Sequence, residues 1–140
     1  MKADEIVALL GLEPHPEGGY YRQAFADDAS GERPYSTAIY YLLEGGSAGR
    51  WHRVDSAEVW HYYAGAPLRL TISPDGVATS EQILGQDFAD GQRPQVVIPR
   101  GHWQSAQSLG NWTLAGCTVA PGFQFEHFEM AEDGWKPGRN

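Results

Sequence analysis

The sequence predicts an all-β domain, a closed barrel or sandwich with one short N-terminal helix, on three observations. Short runs rich in Tyr, Thr, Val, Ile and Trp recur along the whole 140-residue chain. Clusters of Gly, Pro, Asn and Asp separate them at close intervals. Only one stretch has the apolar spacing of a helix. Strands this short bury enough surface only by packing face to face or by closing on themselves.

The helix is expected over Asp4–Leu10, where Ile6, Val7, Leu9 and Leu10 form an apolar stripe and Gly11 supplies a stop. Strands are expected at Tyr20–Ala26, Tyr35–Leu43, Ala48–Arg53, Glu58–Tyr63, Leu68–Ser73, Ala78–Ile83, Gln95–Ile98, Trp103–Ser108, Trp112–Val119 and Gln124–Glu129. Pro74-Asp75-Gly76 is hairpin chemistry after Leu68–Ser73, and Glu44-Gly45-Gly46 and Leu109-Gly110-Asn111 are turns of the same kind. No fixed-period repeat, low-complexity tract or linker interrupts the pattern. Residues 1–140 therefore read as one domain, with the barrel over about 12–130 and a polar tail over 131–140 that Trp135 can tie down.

The formal net charge of −8 opposes a polyphosphate partner, so no nucleic acid is expected. No apolar run reaches the roughly 18 residues of a membrane span. Asp4 and Glu5 stand where a secretion signal carries positive charge, so the expected location is cytoplasmic. Cys117 is the only cysteine, which excludes an internal disulfide and a cysteine metal cluster. With lysine confined to Lys2 and Lys136, arginine is the cation available to meet planar anions.

The segment Gly49 to Gly65, GRWHRVDSAEVWHYYAG, concentrates the chemistry. On a strand, side chains alternate between faces. If Glu58 points inward, so do Trp60 and Tyr62, while Val59, His61 and Tyr63 point out. His52 and Val54 share one face, and Trp51 and Arg53 the other. Glu58 and His61 would share a face on a helix, but on a strand they oppose each other, so His61 reads as a structural or interface residue.

His52, Glu58 and Gly65, with Pro99 and Gly101 downstream, resemble the two short motifs of the cupin superfamily. Val54 stands at the family's second histidine, Gln104 at its third, and Ser108 at the closing asparagine. A closer resemblance runs through His15-Pro16-Glu17-Gly18-Gly19-Tyr20-Tyr21-Arg22, Thr37–Leu43, Trp51-His52-Arg53, Glu58–His61, Gly101–Ser105 and Val119–Phe123. Those blocks are similar to Cupin_5, a family of small single-domain cupins of unknown function. The resemblance implies a double-stranded β-helix, or jelly roll, commonly a homodimer. It also implies a pocket related to that of the dTDP-sugar epimerase cupins.

A standard cupin centre holds a divalent metal with three imidazoles and a carboxylate. Here the surviving metal set is His52, Glu58 and Gln104, with valine deleting one ligand and an amide weakening another. Without metal, none being required, His52 beside Glu58 is a candidate general base, and Tyr62, Tyr40 or His102 a candidate acid. His102, beside Gly101, is also a candidate replacement for the missing ligand. Arg22, Tyr40, Trp60, His102, Gln104 and Phe123 are candidate ligand contacts, aromatic faces being suited to sugar or nucleotide rings. Equally open are a barrel in which Arg22 pairs with Glu17 and one in which His52 and Glu58 are an idle polar pair. Three functions stand. The first is a binder of a small polar sugar- or nucleotide-like metabolite, with metal-independent isomerase or epimerase chemistry at His52. The others are a metal-dependent cupin enzyme and a non-catalytic metabolite-binding module. Exposed sheet edges lead to the expectation of a homodimer.

Overall fold

A computed structural model describes residues 1–29, 31–46 and 48–138. Helix α1 (Ala3–Leu10) turns Ile6 onto the barrel and ends at Gly11, whose left-handed backbone (φ 66°) closes the last turn. Eleven strands follow: β1 (Glu13–Pro14), β2 (Tyr20–Asp27), β3 (Ser36–Glu44), β4 (His52–Val54), β5 (Ala57–Gly65), β6 (Leu68–Ser73), β7 (Ser80–Leu84), β8 (Gln95–Ile98), β9 (Trp103–Ser108), β10 (Trp112–Ala120) and β11 (Phe128–Met130).

They form two antiparallel sheets, ordered β1-β2-β3-β10-β5-β8 and β11-β4-β9-β6-β7. This is the jelly roll that the sequence resemblance implies. The apolar core between the sheets includes Trp60, Leu68, Leu70, Leu84, Val96 and Ile98. A second cluster lies between α1 and the other face of β3, around Ile6, Leu12 and Leu42. Strand β3 therefore buries both faces, with Tyr41 and Leu43 toward the interior and Tyr40 and Leu42 toward the helix.

Most strand boundaries fall within two residues of expectation, and the differences have local causes. The strand expected at Ala48–Arg53 is reduced to β4, because Gly49 N–H bonds to Ala106 O and Arg50 N–H to Glu17 O instead of a ladder partner. The polar strand after the hairpin begins at Ser80, since Asp75 Oδ1 accepts the Val77 and Ala78 amides at 2.8 and 2.9 Å. The strand expected at Gln124–Glu129 is a 3-10 turn, Phe125–His127, followed by β11. Alternating aromatics imitate a strand there, but Phe123 and Phe125 meet each other edge to face at 5.0 Å. Trp60 alone among the tryptophans is fully buried. Trp51 and Trp103 pack on Trp135, which ties the tail to the second sheet. Among the described residues, no helix is long and apolar enough to cross a membrane.

Gly65 shows what a motif glycine does. Its φ is 87°, and a Cβ there would lie 2.5 Å from Trp112 O. Gly65→Ala is expected to lower stability by about 1–3 kcal/mol, measured by urea unfolding, through strained backbone and displacement of β10.

Candidate functional site

Strand β5 turns Glu58 and Trp60 to the same interior face, and β4 places His52 directly opposite Gln104 of β9. The Gln104 amide bridges the sheets. Its Nε2 donates to Glu58 Oε1 at 2.7 Å, and its Oε1 accepts the Trp60 Nε1–H at 2.9 Å. All three groups are buried, so the two bonds leave the amide one orientation and fix the carboxylate.

The partner of His52 comes from the loop between β1 and β2. Gly18 and Gly19 take φ values of 105° and 78°, and a Cβ on Gly19 would sit 2.6 Å from Leu42 O. The Tyr41 hydroxyl donates to Gly18 O at 2.6 Å. Held this way, the loop brings Glu17 Oε2 to 2.8 Å from His52 Nδ1. Charge holds the pair more than alignment does, because Oε2 finds no in-line donor among the described residues. Nδ1 also faces Arg50 O at 3.3 Å, so it carries the proton. His52 Nε2 has no protein partner among the described residues and is the ring atom left for a ligand.

Both charges are buried, with Glu17 7% and His52 6% exposed. Burial alone would lower the proton affinity of His52, but Glu17 and then Glu58 reverse this and raise it above an ordinary imidazole. Burial would raise Glu17, yet the same pairing holds its carboxyl below the usual range. Glu58 moves up, chiefly through desolvation and further through Glu17, against the pull of His52. His15 is held down by burial, and its Nδ1 accepts the Glu17 N–H at 3.1 Å, so it is neutral with that nitrogen as an acceptor.

These groups open on a cavity of about 230 Å³, walled by aromatic rings that include Tyr21, Tyr41, Phe123, Phe125 and Phe128. Among the described residues, neither Lys nor Arg lines it. Its mouth is the segment from Pro121 to Phe128, clamped from outside. Arg33 Nε donates to Gly122 O at 2.8 Å, its NH2 meets Asp55 at 2.6 Å, and Ser56 Oγ donates to Pro121 O at 2.8 Å.

Of the residues singled out from sequence, His52, Glu58 and Phe123 line this cavity. Trp60 and Gln104 stand behind Glu58 as its support. Tyr40 lies on the wrong face of β3, and Tyr41 takes the interior place; one residue of alternation makes the difference. Tyr62 packs against the core, but its hydroxyl donates to Gly65 O at 2.6 Å and does not reach the cavity. His102 sits in the turn after Pro99, outside the lining. Arg22 donates to Leu10 O at the end of α1 and pairs with neither Glu17 nor the cavity. His61 points outward to Thr118 Oγ1 at 3.0 Å, as alternation required. Sequence reasoning missed Glu17, His15 and Tyr41. The available signal was the polar pair inside the Gly-rich block His15–Gly19, where a glycine loop can carry a carboxylate to close approach.

The donor set does not fit the four-ligand cupin metal centre. Val54 lines the cavity with a hydrocarbon surface, and the Gln104 oxygen is taken by Trp60, so two of the four ligand positions offer no donor. Among the described residues, no group of three or more His, Cys, Asp or Glu side chains is arranged to hold a metal ion.

Residues 4–131 match the family described as Cupin_5, Cupin superfamily (DUF985). The chain is similar to a protein of Shewanella oneidensis known from a crystal structure, with 33% identity and a TM-score of 0.88 over 94% of this chain and 85% of that one. A hypothetical protein from Leishmania major is 28% identical with a TM-score of 0.82, covering 92% of this chain and 86% of its own. Oxalate decarboxylase of Bacillus subtilis shares the fold at 16% identity and a TM-score of 0.67, over 86% of this chain but 30% of that enzyme. No curated protein gives a significant match.

The pair makes stability depend on pH in a defined way. The raised His52 value contributes stability that is complete below the ordinary 6.5 and is lost as pH rises through the folded value. The lowered Glu17 value contributes above the ordinary 4.5 and is lost as pH falls through its folded value. Glu17→Gln is therefore expected to drop His52 toward or below an ordinary imidazole, read from the Cε1–H shift in an NMR titration. His52→Ala strands the buried carboxylate and should cost about 3 kcal/mol in denaturant unfolding near neutrality, part of which returns in His52→Ala with Glu17→Gln.

Proposed function

The chain belongs to the Cupin_5 (DUF985) family of the cupin superfamily, and on that footing we propose that it binds a small polar metabolite in the barrel and isomerises it without metal. His52 is the acid–base group. The observation that carries this reading is the Glu17–His52 pair at 2.8 Å, with His52 lining an aromatic cavity and its Nε2 without a partner among the described residues. Glu17 keeps the ring in one tautomer and stabilises the imidazolium that forms when Nε2 takes a proton from carbon beside a carbonyl. Glu58 adds to that stabilisation from the other sheet.

Isomerisation balances when this one base returns the proton to the neighbouring carbon while a second proton passes from the substrate hydroxyl to the former carbonyl oxygen. Epimerisation by two opposed groups has less support, since Tyr40, Tyr62 and His102 all lie outside the cavity. A volume of about 230 Å³ is below the roughly 300–1,000 Å³ of drug-sized pockets, so the ligand is of monosaccharide size or less. A sugar-like ligand therefore has more support than a nucleotide. The lone, buried Cys117 supports a cytoplasmic location. Strands β7 and β8 are sheet edges and Val97 is exposed, which supports a homodimer.

Metal-stripped protein incubated in D2O with a panel of small aldoses, ketoses and hydroxy-carbonyl compounds should wash deuterium into a carbon-bound position of one of them. His52→Ala should remove the exchange, and Glu17→Gln should slow it by about 10²-fold. Exchange that needs added iron, manganese or zinc, with near-stoichiometric metal lost in His52→Ala, would replace this reading with a metal-dependent one. Saturable binding with no exchange would leave a non-catalytic module. Light scattering at micromolar concentration is expected to show a dimer, and a monomer alone would defeat that part.

A further inference from the structure

Two buried carboxylates share this cavity, and Glu58 is short of hydrogen-bond donors. Glu58 receives one strong donor, Gln104 Nε2, and beyond it only the weak Cys117 thiol. Glu17, by contrast, has His52 Nδ1 at 2.8 Å and the Tyr41 hydroxyl beside its carboxylate. An ionised carboxylate accepts about four bonds, and buried ones left short call for a partner. Among the described residues, five aromatic side chains, whose ring faces are negative, and neither Lys nor Arg stand around them.

Charge counting points the same way. Glu17 has His52 as its partner and His15 is neutral, while no Lys or Arg among the described residues stands beside Glu58. Phe125, 48% exposed on the 3-10 turn at the mouth, and Phe128 give an entering cation further rings to lie against. The chain's net charge of −8 favours cation encounter and opposes anions.

We propose that the ligand of this cavity is a compact primary amine, an amino sugar or amino-carbonyl compound, whose ammonium group donates to Glu58 among the aromatic rings. The inference rests on the reading of the cavity as a metabolite site and adds the charge class of the metabolite. An ammonium brings three donors to the acceptors that lack them. A carboxylate or phosphate would bring further negative charge to a pair of carboxyl groups lined by no described Lys or Arg, and a neutral polyol would bring no positive charge to Glu58.

Matched sets of probes isolate charge at constant size: ethanolamine, ethylene glycol and glycolate, then glucosamine, glucose and glucuronate. Affinities would be read by calorimetry and ligand-observed NMR near pH 7 on wild type, Glu58→Gln and Phe125→Ala. Each amine should bind at least about tenfold tighter than its neutral and anionic partners. Glu58→Gln, matched in shape, should erase that preference, and Phe125→Ala, altered only at the exposed mouth, should weaken the amines several-fold. Unchanged circular dichroism and melting would show both variants folded. Neutral or anionic probes binding as well as the amines, or an amine preference that survives Glu58→Gln, would overturn the proposal while leaving the metabolite site standing. If none of the six binds but a neutral carbonyl compound exchanges deuterium in the assay above, the amine class alone falls. If nothing binds and nothing exchanges, both readings fall together.

Discussion

The hydrogen-bonded chain Trp60–Gln104–Glu58 is the contact on which the interior depends. It crosses from β5 to β9 and back, with bonds of 2.9 and 2.7 Å, and joins the two sheets through polar atoms buried inside an apolar core. A half-satisfied amide in that position would cost its full desolvation, so both ends of Gln104 need their partners. Because they have them, the carboxylate at Glu58 is aimed rather than merely enclosed. Trp60 also stacks on Tyr41 at 5.7 Å, so the same group supports the residue that pins the Glu17 loop.

Around that support the electrostatics are those of two carboxylates and one imidazole in a poorly solvated space. Like charges cannot share such a space without compensation. The fold resolves this by pairing Glu17 directly with His52 and by placing Glu58 against an amide instead of a cation. The consequence is a division of roles. The pairing favours the charged forms of Glu17 and His52, while burial pushes Glu58 toward its protonated form.

The departures from the standard cupin ligand set form a coherent exchange of one chemistry for another. Where a histidine would offer a lone pair, Gln104 spends its oxygen on an indole N–H and Val54 offers methyl groups. The surviving histidine has acquired a carboxylate partner from a loop outside both short motifs. Positions that coordinate an ion in the standard cupin centre here orient the Glu58 carboxylate and line the cavity with methyl groups. The fold shared at 16% identity with oxalate decarboxylase thus carries no argument about reaction.

By itself, the sequence determined most of the architecture. Strand alternation placed Glu58, Trp60, His52 and Val54 inward and His61 outward, because a period of two leaves few alternatives once one side chain is assigned a face. Turn chemistry at Pro74-Asp75-Gly76 and the stop at Gly11 were legible for the same local reason. What only the tertiary structure decided were contacts between segments distant in sequence. Glu17 meets His52 across thirty-five positions because a glycine loop, a tyrosine hydroxyl and the Arg50 amide together fix its path. Tyr40 and Tyr41 are indistinguishable in sequence, since β3 is covered on both faces and local pattern cannot say which side holds the cavity. The roles of Gln104 and Arg22 turned on which acceptor lay within reach, and that distance exists only once the sheets have packed.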